Sequence, residues 1–179
     1  WFALLIAARS QAALGKWEVS SEYWDKIRKL RDLTPEEVFD SSRSYYNSKR
    51  FHSVIDLNSR NSDRGVFHEK ILELMVRSHY NLHSNDLCID LSKQLLRINP
   101  ESKIGLRYQS RSLVRLGKIS ESIPAMRKYC QIYPTSVNAW ESLLEAHLMM
   151  DRDEEVREIW NQLKKKIDNS VENFLTAIE

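Results

Sequence analysis

The sequence predicts an all-α protein built from antiparallel helix pairs stacked in tandem. Three observations predict it. The dipeptide Arg-Ser recurs at Arg9, Arg43, Arg77 and Arg111, always at an interval of 34 residues. Within each interval the apolar residues follow helical spacing, with a break near the middle. No segment alternates apolar and polar residues for long, so almost no strand is expected.

Written in rows of 34, the chain gives five rows starting at Trp1, Pro35, Glu69, Lys103 and Val137, then a half row from Val171. The units are 1–34, 35–68, 69–102, 103–136 and 137–170, with a terminal helix over 171–179. Column four reads Leu4, Val38, Leu72, Leu106 and Trp140. Column twenty holds small to medium residues: Ser20, Val54, Cys88, Ser122 and Val156. Column twenty-seven reads Ile27, Asn61, Leu95, Tyr129 and Leu163, with one polar exception.

The first row opens on the apolar run WFALLIAA and places Gly15 at column fifteen, a position Gly117 repeats. The third and fourth rows share Pro100 and Pro134 at column thirty-two. Row four shows the design most plainly. One helix is predicted from about Ile104 to Leu116, closed by Gly117, and a second from about Ser120 to Ile132, stopped by Pro134. Pro124 is expected in the first turn of that second helix, where a missing N–H costs little. In row five the carboxylates of DRDEE, Asp151 to Glu155, fall at the helix–helix turn and answer a helix dipole. The terminal helix offers Phe174 and Ile178, four apart, to cover row five.

The composition fits a single folded unit. The chain has 179 residues, is 42% apolar and contains only four glycines and four prolines, with no linker-like stretch. Its 27 basic residues nearly balance 25 acidic ones, against a general nucleic-acid coat. Cys88 and Cys130 lie 42 positions apart without a CxxC arrangement, which favours buried free thiols in a reducing, cytoplasmic setting. WFALLIAA is too short to span a bilayer, which takes about 20 apolar residues, and lacks a signal-peptide pattern. A start already inside a helical pattern suggests a piece of a longer protein.

These rows resemble the tetratricopeptide repeat, a helix–turn–helix of 34 residues with a large residue at column four and Pro at thirty-two. The resemblance covers the whole chain. Column eight, usually Gly or Ala in that family, reads Ala8, Ser42, Val76, Ser110 and Leu144, so Val76 and Leu144 depart from it. The half-repeats of RNA-processing proteins are a weaker match, favoured only by Trp140 and Trp160. The resemblance implies a right-handed superhelical α-solenoid whose first helices line a concave groove. It also implies that columns two, five, nine, twelve and thirteen face that groove.

On that reading Arg9, Arg43, Arg77 and Arg111 stand side by side at column nine, with Lys70 at column two and Arg107 at column five. Packed helices lie about 8–10 Å apart, where like charges in water repel by roughly 0.4 kcal/mol. Two readings compensate that cost. In the first, the groove neutralises itself: Glu145 pairs with Arg111, Glu141 with Arg107, Glu73 with Arg77 and Asp40 with Arg43. In the second, an extended anionic ligand does so. Tyr46 and Tyr80 at column twelve and Asn47 and Asn81 at column thirteen favour a ligand, adding stacking faces and amides in register. A variant of the family clamps a terminal carboxylate with Lys and Asn at columns five and nine. Here those columns read Phe39 and Arg43, then Glu73 and Arg77, so that clamp is not implied.

No catalytic pattern emerges. His79 and His83 lie four apart on an expected helix, but no HExxH surrounds them and no third ligand is evident. His79 shares column eleven, a packing position, with His147. No Gly-rich phosphate loop and no GxSxG occur, so neither cofactor, metal nor enzyme activity is expected. The leading expectation is a scaffold that binds an extended acidic protein segment. A spacer or dimerisation domain of a larger enzyme, such as a bacterial glycosyltransferase, is the structural alternative. Direct binding of an anionic polymer, polysaccharide or RNA, is the third. Trp17 and Tyr23 on second helices either form a homodimer face or pack locally.

Overall fold

The computed structural model describes the backbone of residues 1–59 and 68–176 and the side chains of residues 1–59 and 68–165. Among these, the helices are α1 (Phe2–Ala13), α2 (Trp17–Leu30), α3 (Pro35–Asn47), α4 (Phe51–Ser59) and α5 (His68–Asn81). There follow α6 (Asn85–Ile98), α7 (Lys103–Arg115), α8 (Ile119–Ile132), α9 (Val137–Leu148) and α10 (Asp153–Thr176). No strand occurs among the described residues. Nor is any described helix long and apolar enough to cross a membrane. The chain is all-α, as the periodicity predicts.

The turn inside each pair is the same object. At column fifteen Gly15, Lys49, His83, Gly117 and Asp151 all take positive φ, between 52° and 73°. The next N–H then donates back to the column-eleven carbonyl. The bonds are Lys16 to Gln11 (2.9 Å), Arg50 to Tyr45 (2.8 Å), Ser84 to His79 (2.9 Å), Lys118 to Leu113 (2.9 Å) and Arg152 to His147 (3.1 Å). This closure satisfies a carbonyl that the helix end would otherwise leave unpaired. Only two of these residues are glycine, so Lys49, His83 and Asp151 adopt a backbone state that L-residues disfavour.

The entry to α3 is fixed by Thr34, whose Oγ1 accepts from the Glu37 N–H while the Glu37 carboxylate accepts from the Thr34 N–H. The buried Glu37 also takes a bidentate pair from Arg31, at 2.6 and 2.8 Å. Arg31 holds the Glu37 carboxyl below its ordinary pKa, against the opposing effect of burial.

Three expectations need correction. Pro124 lies five residues after Ile119 and so inside α8, not in its first turn. Its ring nitrogen leaves the Ser120 carbonyl without the usual helical donor. The helix expected to begin at Val171 is continuous with α10, because nothing in KKIDNSVEN breaks a helix. The side chains of Phe174 and Ile178, and Asn61 of column twenty-seven, lie outside the described residues.

By internal contacts the chain divides into two compact units, Trp1–Tyr108 and Gln109–Glu179, with the boundary inside α7 and not at a linker. In the first, Ala8, Trp24, Ile27, Val38, Tyr45, Val54, Leu57, Ile71 and Leu74 form one buried cluster. Column twenty is where neighbouring helices meet. Ser20 Oγ donates to the Ala8 carbonyl at 2.8 Å and lies 2.9 Å from Ser44 Oγ, joining α2 to both α1 and α3. Cys88 Sγ repeats the first contact with the Val76 carbonyl at 3.4 Å, so Val76 at column eight is accommodated. In the second unit Leu113, Met126, Tyr129, Trp140, Leu143, Ile159 and Leu163 are buried. Cys88 and Cys130 are free and buried.

Candidate functional site

The Arg-Ser repeat divides its labour between its two residues. Ser44, Ser78 and Ser112 are fully buried, while of the adjacent arginines Arg43 is exposed and Arg77 and Arg111 are half-buried. Ser44 Oγ reaches the Asp40 carbonyl at 3.0 Å and Ser78 Oγ the Leu74 carbonyl at 2.7 Å. The serine is a small packing residue. The arginine beside it is what varies in circumstance.

Arg9 is closed by two carboxylates of the following helix. Its Nη2 donates to Glu36 Oε1 and its Nε to Asp40 Oδ2, both at 2.9 Å. Asp40 therefore serves the arginine of the preceding row and not Arg43 on its own helix, as spacing alone suggests. Arg43 instead lies over the Trp17 ring, 5.7 Å from its centroid. Arg77 stands 6.0 Å over Tyr46, and Lys70 stands 5.7 Å over Phe39. Between α3 and α5, columns two and five thus meet, and so do nine and twelve. Among the described residues none of Arg43, Lys70 and Arg77 is closed into an ion pair.

The flanking residues complete this face. Tyr46 packs against Phe51 at 5.6 Å and Tyr80 edge-on against Tyr108 at 4.9 Å. Asn47 and Asn81 each donate an amide N–H to the carbonyl of the column-nine arginine, Arg43 at 2.9 Å and Arg77 at 2.7 Å. Glu73, expected to pair with Arg77, forms no ion pair with it. Burial pushes the Glu73 pKa up, Arg77 offsets part of that, Glu69 adds to it, and Lys70 again opposes. Arg107 lies 6.0 Å over the ring of its neighbour Tyr108. Arg111 belongs to the second unit, where no ion pair joins it to Glu145 among the described residues.

A cavity of about 320 Å³ opens beside Arg9, Glu36, Asp40, Arg43, Ser44 and Trp24. A second, of about 410 Å³, is lined by Asp25, Arg28, Lys29 and Arg50. It adjoins a network that sequence reasoning missed. Tyr45 Oη donates to Asp25 Oδ1 at 2.8 Å, Arg50 to Asp25 Oδ2 at 2.7 Å, and Arg28 to Asp56 at 3.2 Å. Burial, with Asp25 adding and Arg28 opposing, raises the Tyr45 pKa to about 12. The network joins α2, α3 and α4 through residues 17 to 28 positions apart, and no local spacing signals it.

The histidine pair does not survive as a pair. His79 is buried in α5, whereas His83 lies beyond the helix end as the left-handed turn residue. Column fifteen was the available signal. No group able to hold a metal occurs among the described residues. Trp17 and Tyr23 are half-buried, under Arg43 and against the first unit's core respectively.

The chain matches no family model, and no curated protein matches it in sequence. Solved structures of MamA share its fold. The structure titled "Crystal structure of MamA protein" aligns with a TM-score of 0.82 at 11% identity, covering 96% of this chain and 93% of that one. A double mutant, MamA RS-1, gives 0.79 at 9% identity, with 94% of each chain covered. MamA MSR-1 gives 0.74 at 14% identity, with 93% of this chain and 96% of that one covered. At such identities the likeness establishes the fold: an all-helical solenoid of the tetratricopeptide-like class.

Proposed function

We propose that this chain is a non-catalytic protein-interaction scaffold that binds an extended acidic segment across α3 and α5. One observation carries the reading. Among the described residues Arg43, Lys70 and Arg77 are held over aromatic rings and closed into no ion pair, while Arg9, in the column of Arg43 and Arg77, is closed by two carboxylates. A ring under a cation fixes its position for about 0.5–1 kcal/mol without consuming its N–H donors. Those donors suit carboxylates spaced along a strand of peptide. Tyr46 and Tyr80, with Asn47 and Asn81, flank the cations and shape the face. Buried free thiols fit a reducing, cytoplasmic setting.

The test uses a fluorescently labelled Glu-rich peptide and the Arg43→Glu/Arg77→Glu double variant. Both positions lie outside the buried core, so circular dichroism and melting should match the wild type. Removing two charge-assisted contacts of about 1.5–3 kcal/mol each predicts at least a hundredfold weaker binding. Equal binding by both proteins would overturn the reading. A polyanion of any chemistry binding as tightly, with a steep salt dependence, would shift it to anionic polymers.

A further inference from the structure

The cavity of about 320 Å³ is lined by residues of α1, α2 and α3, all within the first unit. Its wall differs from the cationic face of α3 and α5 in two ways. Its charges cancel: Arg9 is closed by Glu36 and Asp40, both at 2.9 Å, and Arg43 adds the second positive charge. An ion entering between such walls loses its hydration and meets no surplus of opposite charge. Neither a carboxylate nor an ammonium group is therefore suited to it. The second difference lies in Trp24, which is fully buried and lines the cavity, while its Nε1–H finds no acceptor among the described residues. A buried indole N–H normally has a partner, and leaving one unpaired is costly. The wall also holds acceptors. Glu36 Oε1 and Asp40 Oδ2 each take one hydrogen bond from Arg9, which leaves lone pairs on both carboxylates.

A primary amide meets all three conditions. It is uncharged, its oxygen accepts from an indole N–H, and its NH2 donates to a carboxylate. Arg43 lines the cavity and also belongs to the cationic face with Lys70 and Arg77. Neighbouring helices lie about 8–10 Å apart, the reach of about three extended residues, so one peptide spans both places. We infer that the cavity takes the side chain of a glutamine flanking the acidic run of the bound segment. Its carbonyl accepts from Trp24 Nε1, and its NH2 donates to Glu36 or Asp40. Glutamine is preferred to asparagine because the fully buried Trp24 asks for the longer reach. The inference rests on the acidic-segment reading and adds to it a neutral anchor, which fixes the register of the ligand where carboxylates alone would let it slide.

Three labelled peptides test this on the full chain. Each carries the same glutamate run, flanked on both sides by glutamine, by leucine or by further glutamate. The glutamine-flanked peptide is expected to bind at least about fivefold more tightly than either of the others. In ¹⁵N spectra of the wild type, the Trp24 indole N–H signal, assigned by its NOEs, should move downfield with that peptide and stay in place with the leucine-flanked one. Trp24→Phe removes the donor, keeps an aromatic ring and should erase the preference. If that variant melts below the working temperature, the wild-type indole signal decides alone. Equal affinities for the three peptides overturn the inference while the acidic-segment reading stands. An indole signal that glutamine leaves unmoved, or a preference that survives Trp24→Phe, does the same. Failure of all three peptides to bind overturns both.

Discussion

Arg9 and Arg77 hold the same position in their repeats and end in opposite circumstances. Arg9 is bound by Glu36 and Asp40, whereas Arg77 stands over Tyr46 with no ion pair among the described residues. The backbone offers both side chains the same outward direction. What separates them is the neighbouring helix. α3 presents two carboxylates towards α1, while towards α5 it presents two rings, Phe39 and Tyr46. A repeat therefore fixes where a side chain points, and the adjacent repeat decides whether its charge is used up or kept available.

Releasing Arg9 should erase that difference. Glu36→Gln with Asp40→Asn leaves the surface position intact and costs about 0–1 kcal/mol of stability, the usual worth of exposed pairs. Acidic-peptide binding should tighten by roughly three- to tenfold as another arginine joins the face, which corresponds to about 0.7–1.4 kcal/mol. An unchanged affinity in a titration would mean that Arg9 lies off the ligand's path.

Glu73 sharpens the contrast from within the face. Its pKa is raised, chiefly by burial, so the folded chain holds this proton more tightly than the unfolded chain does. The sign follows: stability is lost as pH rises through the ordinary carboxylate pKa towards the raised one. At neutral pH the charged Glu73 also repels an acidic ligand. Glu73→Gln should therefore raise the melting temperature at pH 7, flatten the pH dependence of melting between those two values, and tighten peptide binding. Lower stability at pH 7 would show instead that Glu73 is held by an attraction stronger than its burial penalty.

Column fifteen repeats the lesson at the backbone level and gives the smallest effect. Glycine at 15 and 117 costs nothing there, whereas His83 takes φ 57°. His83→Gly is expected to stabilise the chain by roughly 0.5–1 kcal/mol in denaturant unfolding. A destabilised variant would show that the His83 side chain makes a contact worth more than the strain.

The fold was legible because period and apolar spacing are local quantities repeated many times. They place α7 and α8 almost as observed, and Gly15 and Gly117 mark two of the equivalent turns. The turns at Lys49, His83 and Asp151 were hidden because tertiary packing imposes the left-handed state on residues that do not announce it. That also explains the lost histidine pair: spacing of four suggests one helix face, but the helix ends between the two. The site was half legible. Column arithmetic brings Lys70, Arg77, Tyr46 and Asn81 into one region, yet sequence spacing pairs Asp40 with Arg43 when geometry delivers it to Arg9. The network of Asp25, Arg28, Tyr45, Arg50 and Asp56 joins three helices and leaves no periodic trace.

The most direct measurement compares single neutralisations within one column: acidic-peptide titration of Arg9→Gln beside Arg77→Gln, each checked for unchanged folding. The account predicts about tenfold weaker binding for Arg77→Gln, near 1.4 kcal/mol, and a change within about twofold for Arg9→Gln. Equal losses at both positions would contradict it, because the ion pairs on Arg9 would then make no difference to how its charge is used.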